Sequence, residues 1–301
     1  MKAIVFENNT TQIKNIPKPC LIDSYDVIVE VKCVGICKTD LLLSNGLISC
    51  KDGQVLGHEF SGIIFDKGDK VSNINIGDKV SINPLIDCLE CENCLEKKSC
   101  ISPLIKGIHS DGALTNLVLI PSKNIYKVSD EISFEIAAYL EPVAAAMSIL
   151  NMTFPKDSRV LVFGSGRITK LSNFILEKFG YTNVFSTNDI NDINEKFDVI
   201  IENGIDSSLF NKLLEKLKFR GLFILKSRHL SNINFIGSEI VKNEITIRGV
   251  NYSNFDDAFN FLINNKEYFK NFIGNSFLFE NYKNAFEFAQ KEENYKHFID
   301  I

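Results

Sequence analysis

The sequence predicts an α/β protein in two parts, one β-rich and the other built on a smaller, parallel, doubly wound sheet. Three observations carry this. From Met1 to about Val128, short β-rich runs alternate with Gly and Asp turns. From Arg159 onward the pattern changes to continuous apolar runs of buried-strand type separated by helical stretches, as in a parallel sheet covered on both faces. At 301 residues, 45% of them hydrophobic, the chain exceeds the usual single domain and can bury a substantial core.

The elements follow in order. The opening MKAIVFENNT reads as a first strand, since its four consecutive apolar residues are too few for an export signal. Asp26–Val31, Ser61–Phe65 and Leu117–Ile120 are further strands, with a turn in Gly77–Val80. From about Ser133 to Asn151 small and apolar residues are dense enough for a helix, which Pro142 should interrupt. Arg159–Phe163 is a buried strand, followed by a Gly pair and a helix from about Thr169 to Phe179. Strands at Val184–Ser186, Val199–Ile201, Leu222–Leu225 and Ile245–Ile247, with a helix at Phe210–Leu217, complete the sheet. Helices near Phe255–Asn264 and Tyr282–Lys291 and a strand at His297–Ile301 close the chain. The expected division is therefore residues 1–150, completed by 252–301, around an inserted 151–251.

Composition excludes several functions. The net charge is −5, and Lys and Arg are scattered without a basic stripe, which argues against nucleic acid. No stretch approaches the roughly 18 apolar residues of a membrane helix, so a cytoplasmic protein with a small-molecule substrate is expected.

Four of the eight cysteines, Cys88, Cys91, Cys94 and Cys100, crowd one segment. Two-residue gaps let consecutive thiolates turn toward one ion, and the last closes a tetrahedron. An all-sulfur site leaves no open position, so this should be a structural zinc. The dispersed Cys20, Cys33 and Cys50 read as structural thiols, whereas Cys37 has suggestive neighbours.

Those neighbours lie in Gly35-Ile36-Cys37-Lys38-Thr39-Asp40, Gly57-His58-Glu59 and Glu141-Pro142. A catalytic zinc needs about three protein ligands and one open position for a substrate oxygen. Cys37, His58 and one of Glu59 or Glu141 would supply that set.

Joined to the cysteine cluster, these segments resemble the zinc-containing medium-chain alcohol dehydrogenase family, whose signature spacing is matched by Gly57, His58, Glu59, Gly62, Gly68 and Val71. The match continues through Gly77-Asp78-Lys79-Val80, the cysteine lobe, Asp111-Gly112 and Ala137-Ala138 to Glu141-Pro142. The resemblance implies a GroES-like catalytic domain followed by a Rossmann domain, two zinc ions per chain and a nicotinamide cofactor. Glu141-Pro142 is similar to the sorbitol and polyol branch, which implies a polyol or polyol phosphate as substrate. By the same resemblance Thr39 would start a proton relay, and Asp40 would hold the His58 ring. A cap for the turn after Cys37 is the simpler role of both. Leu41 and Leu42 stand where the family often has His, implying a shorter or water-borne relay. Lys38 and Lys106 are candidates to meet a phosphate. Glu244–Val250 resembles the strand through which members pair, so a homodimer is expected. The alternatives are an amino-alcohol or simple alcohol dehydrogenase, or a zinc-stabilised nucleotide- or sugar-binding protein without redox activity.

The nicotinamide dinucleotide would meet Gly164, Ser165, Gly166, Arg167 and Ile168, where a buried strand turns into a helix and backbone amides can receive a pyrophosphate. Thr169 occupies the third glycine position and should hold helix and strand further apart. The ribose-binding acid is expected about 20 residues on, where Asn188 and Asp189 stand, favouring NAD slightly over NADP. Only Asp189–Lys196 then separates two strands, too little for a helical crossover, although eight extended residues reach roughly 26 Å. The Rossmann sheet should therefore be truncated, lacking its third strand and the wall that this unit gives the adenine.

Overall fold

In the computed structural model residues 1–96, 100–205, 207–227 and 232–301 are described. The first hairpin joins β1 (Lys2–Glu7) to β2 (Thr10–Asn15) through Asn8 and Asn9, at φ 52° and 57°. Asparagine tolerates this left-handed backbone, and two such residues in succession give a turn whose twist matches the strands. The chain continues through β3 (Asp26–Gly35), helix α1 (Lys38–Ser44), β4 (Gln54–Val55), β5 (Glu59–Lys67) and β6 (Lys79–Ile82). A small hairpin of β7 (Leu85–Ile86) and β8 (Leu104–Ile105), with the one-turn helix α2 (Glu92–Leu95) between, precedes β9 (Leu117–Pro121) and β10 (Ile125–Lys127).

A seven-stranded sheet is centred on β3. Its order is β10-β6-β5-β3-β17-β16, with β9 also paired to β3; β16 (Ile273–Leu278) and β17 (Lys296–Asp300) come from the far end of the chain. The core takes Val27, Val29 and Val31 from β3, Ile64 from β5, Val80 from β6 and Ile299 from β17. Each such side chain contributes about 1.5–3 kcal/mol on burial. Helix α10 (Tyr282–Lys291) adds Ala285 and Phe286 to the same core, tying the C-terminal segment to the first part.

The second sheet is parallel throughout, in the order β12-β11-β13-β14-β15. Its strands are β11 (Val160–Phe163), β12 (Val184–Thr187), β13 (Phe197–Glu202), β14 (Leu217–Leu225) and β15 (Thr246–Gly249). Helices α5 (Gly166–Lys178), α6 (Ser207–Leu214) and α7 (Gly237–Lys242) connect them. The chain thus divides into two units: Met1–Pro142 with Phe259–Ile301, and Val143–Ala258. Among the described residues no helix is long and apolar enough to cross a membrane.

Three expectations need correction. Pro142 does not interrupt a helix: the break lies at Tyr139, between α3 (Phe134–Ala138) and α4 (Leu140–Met147). Pro142 falls in the first turn of α4, where an N–H would have no intrahelical acceptor, so nothing is lost. Helix α5 starts at Gly166, three residues before the apolar pattern does, because its first turn is only half-buried and packing begins at Thr169. Leu217 opens β14 instead of ending α6, since its burial completes the sheet core. The chain returns to the first unit at Phe259, within helix α8 (Phe255–Asn264), and helix α9 (Lys266–Phe269) belongs to that unit.

The short connection behaves as its length requires. Between β12 and β13 there is a single 3-10 turn, Ile190–Asp192, and both strands pair with β11. Strand β12 is consequently an edge, and among the described residues no strand lies beyond it.

Candidate functional site

The cysteine lobe is an excursion from the β7–β8 hairpin. Cys91 caps α2 in an extended conformation, which places Cys94 one turn on and on the same side. Sulfur separations are 3.5 Å for Cys88–Cys100, 3.9 Å for Cys88–Cys94 and 4.0 Å for Cys91–Cys100. A tetrahedron of Zn–S bonds of about 2.3 Å has edges of about 3.8 Å, so the four thiols are spaced for zinc. The Ile101 and Cys94 backbone holds the Cys91 thiol down to about 6, whereas burial and neighbouring thiols push Cys94 up to about 12. Negative charge at Cys91 is thus stabilised, while a second thiolate among the sulfurs is penalised until a cation balances it.

Two strands and a helix converge on the second cluster. Cys37 follows β3 as the N-cap of α1, and Asp40, in the first turn of α1, accepts the Cys37 amide at 2.9 Å. Gly57, at φ +91°, turns the chain so that His58 and then Glu59 enter the protein at the head of β5. A side chain at Gly57 would strike Leu114 and Val34 as well as straining the backbone. Ligating atoms of Cys37, His58 and Glu59 all lie within 4.8 Å of one another, with His58 and Glu59 buried. Glu141 is outside that group but buried nearby, and its charge acts on His58.

Electrostatics fit a cation at this point. Burial disfavours a charged His58, yet Cys37, Asp40 and Glu141 together outweigh it and raise its pKa well above the ordinary value. For Asp40 burial dominates and pushes the carboxyl up, against the pull of His58 and of the Cys37 amide. The Thr39 hydroxyl lies 3.8 Å from Cys37 Sγ and is half-exposed. Lys38 is exposed; Lys106 is half-buried, and desolvation lowers its pKa.

In the second unit the Gly164-Ser165-Gly166 turn leads from β11 into α5, with Ser165 as N-cap. Gly164 has φ +145°, and a Cβ there would come within 3.0 Å of Thr169 Oγ1 and 3.2 Å of Asn203 Cβ. The backbone conformation favours glycine, and a side chain there would have to displace its neighbours. Thr169 packs into this turn with its hydroxyl donating to the Ser165 carbonyl at 3.2 Å. Arg167 and Ile168 lie half-buried in the first helical turn. Asn188 and Asp189 are exposed after β12, and Asp189 Oδ1 accepts from the Asn191 amide at 2.8 Å.

Residues 23–130 match the family model of the alcohol dehydrogenase GroES-like domain. A probable D-xylulose reductase A of Neosartorya fischeri is 33% identical over 178 residues, 56% of this chain and 50% of that protein. Over residues 23–130 the chain belongs to the alcohol dehydrogenase GroES-like domain family. It spans about half the length of the curated xylulose reductases it matches.

Solved structures extend the likeness of fold over the whole chain. Galactitol-1-phosphate dehydrogenase from Escherichia coli superposes with a TM-score of 0.86 at 19% identity, covering 100% of both chains. A putative zinc-binding dehydrogenase from Sinorhizobium meliloti bound to NADP gives 0.87 at 20% identity, covering 100% of this chain and 99% of that one.

Two residues beside these clusters escape a reading of the sequence. Lys296 is buried against Glu59, yet in the sequence it is one lysine among many at the start of a strand. Glu202 ends β13 fully buried and accepts from the amides of Gly204, Lys226 and Ser227 at 3.1, 2.8 and 2.7 Å. It organises the loops beside the Gly164 turn. A lone acid closing an apolar strand is its only sequence signal.

Proposed function

We propose that the chain is a zinc-dependent, nicotinamide-linked dehydrogenase that interconverts a polyol or polyol phosphate and the corresponding ketose. The observation that carries this reading is the convergence of Cys37, His58 and Glu59 within 4.8 Å, with the Thr39 hydroxyl beside Cys37. Likeness to a xylulose reductase and a galactitol-1-phosphate dehydrogenase supports the substrate class.

Cys37, His58 and Glu59, or Glu141 in its place, would hold the catalytic zinc; Cys88, Cys91, Cys94 and Cys100 would hold a structural one. The chemistry supplied by a bound zinc ion is polarisation of the substrate oxygen, and that supplied by a nicotinamide is hydride exchange. Thr39 accepts the substrate hydroxyl proton and passes its own outward, a task for a group that both donates and accepts. With Leu41 and Leu42 following, water completes the relay. Asp40 orients His58 from behind. Gly164, Ser165 and Gly166, with Arg167 and Ile168, receive the pyrophosphate, and Asn188 and Asp189 favour NAD. The exposed strand β15 is the edge through which two chains pair into a homodimer.

The test follows nicotinamide absorbance with NAD and NADP against polyols, sugars, their phosphates, simple alcohols and amino alcohols, alongside Cys37→Ser. Turnover of polyols that is abolished in the variant supports the reading; turnover unchanged by the variant refutes the zinc mechanism. The edge position of β12 favours a second reading, a binding protein without redox activity. It gains if calorimetry detects sugar or nucleotide binding and no cofactor supports turnover.

A further inference from the structure

The Glu59 carboxylate faces more than Cys37 and His58. Its Oε2 accepts from Lys296 Nζ, and the same ammonium donates to the Ile36 carbonyl at 3.0 Å. Lys296 is 1% exposed and Glu59 3%, so the ion pair is withdrawn from water. Lys296 opens β17 and Glu59 opens β5, the two strands that flank β3. Gly35 of β3 pairs with Glu59 on one side and Phe298 on the other. A Cβ on Gly35 would lie 2.6 Å from Glu59 Oε2 and 3.4 Å from Lys296 Cδ. The pair thus passes over a residue that has no side chain to obstruct it.

Burying a lysine and a glutamate is costly in desolvation, and an apolar pair of similar volume often serves stability as well or better. The pair therefore calls for a role other than holding the fold. Glu59 is also one of three convergent ligating groups, so its carboxylate lies between two cation positions, the ammonium and the ion.

We propose that Lys296 is a positioning residue that restrains Glu59 as a ligand of the catalytic metal, holding Oε2 so that only Oε1 remains for the ion. This rests on the reading of Cys37, His58 and Glu59 as a metal centre. Two consequences follow from charge and geometry. The ammonium offsets the carboxylate charge, leaving the ion more electron-poor and better able to polarise a substrate oxygen. A carboxylate held by one oxygen cannot chelate, so the position that the substrate needs stays open. Without Lys296, both oxygens of a buried, uncompensated carboxylate turn to the ion, which then binds more tightly and with its open position closed.

The experiment measures zinc stoichiometry and affinity of the full chain by competition with a chromophoric chelator. It compares wild type, Lys296→Met, Lys296→Arg, Glu59→Gln and the Lys296→Met/Glu59→Gln double variant. Expected are two zinc ions in the wild type, and a catalytic-site affinity raised tenfold or more in Lys296→Met. The four-cysteine site is unchanged, Lys296→Arg stays near wild type, and Lys296→Met has no effect in the Glu59→Gln background. Two ions in the wild type with unchanged or weaker catalytic-site affinity in folded Lys296→Met overturns the restraint alone. The same gain in the Glu59→Gln background also overturns it. A wild type that takes up one ion only, lost in Cys91→Ser, overturns the metal-centre reading and this proposal with it. If Lys296→Met does not fold, Lys296→Gln keeps a donor for the Ile36 carbonyl without the charge and is expected to show the same tightening; unchanged affinity there overturns the restraint.

Discussion

Asp40 Oδ1 stands 3.9 Å from His58 Nδ1, and neither atom has a hydrogen-bond partner although both side chains are buried. The other carboxylate oxygen is anchored on the Cys37 amide. Asp40 therefore joins the two roles between which its sequence context left a choice: it caps α1 with one oxygen and aims the other at the imidazole. A small ring shift makes the bond by which a ligating histidine is commonly oriented.

Asp40→Asn keeps an oxygen for the cap but removes the charge. Zinc affinity at the Cys37–His58 site should fall about 10–100-fold, while folding stability changes by about 1 kcal/mol or less. Chelator competition combined with a denaturant titration separates the two effects. Unchanged zinc affinity would show that Asp40 serves the helix alone.

Among its described residues the cysteine lobe has little core of its own: in α2 no residue is buried, and Leu89, Leu95 and Ile101 are exposed. Its order should depend on metal. Cys91→Ser or prolonged chelation is expected to open the segment between β7 and β8 to proteolysis and to lower Tm by several degrees. A lobe equally resistant with and without chelator would contradict the structural zinc.

At Gly164 a methyl group meets both a forbidden backbone conformation and Thr169 Oγ1 at 3.0 Å. Gly164→Ala should cost about 1–3 kcal/mol of stability and weaken nicotinamide dinucleotide binding. Isothermal calorimetry and thermal melting check both. Wild-type affinity in a folded Gly164→Ala would exclude this turn as the pyrophosphate site.

Acid stability can be followed at Asp78, whose carboxylate bonds to Lys127 at 2.7 Å and accepts the Asn75 amide at 2.9 Å. The Lys127 hydrogen bond, ahead of the others, holds its pKa below the ordinary 3.8. A depressed folded pKa stabilises the native state above the unfolded value and loses that contribution as pH falls through the folded one. Lys127→Met should therefore lower stability near pH 6, by about 0.5 kcal/mol for a pair with one exposed partner. The difference should vanish once the pH falls below the depressed folded pKa of Asp78, which itself lies under 3.8. A difference that persists there would assign the effect to packing of the lysine stem.

Local spacing determined the most about this protein. The four cysteines are close enough in sequence that a local turn brings three pairs of their sulfurs to 3.5–4.0 Å, and no long-range contact is needed to foresee a metal lobe. The turn at Gly164 and the missing third strand were equally legible, because eight residues cannot form a helical crossover whatever surrounds them. The sequence motifs supplied Cys37 and His58 with either Glu59 or Glu141 as a set, but not their partners. That Glu59 sits on Lys296, 237 residues away along the chain, follows from β5 and β17 lying on either side of β3. Strand order is decided by the packing of whole sheets, and burial turns an ordinary lysine into a counter-ion. For the same reason Pro142 misled: its tolerance depends on where α4 begins, which the packing of Tyr139, Leu140 and Val143 settles. Chemistry carried by neighbours in sequence could be read directly, whereas chemistry carried by neighbours in space had to wait for the fold.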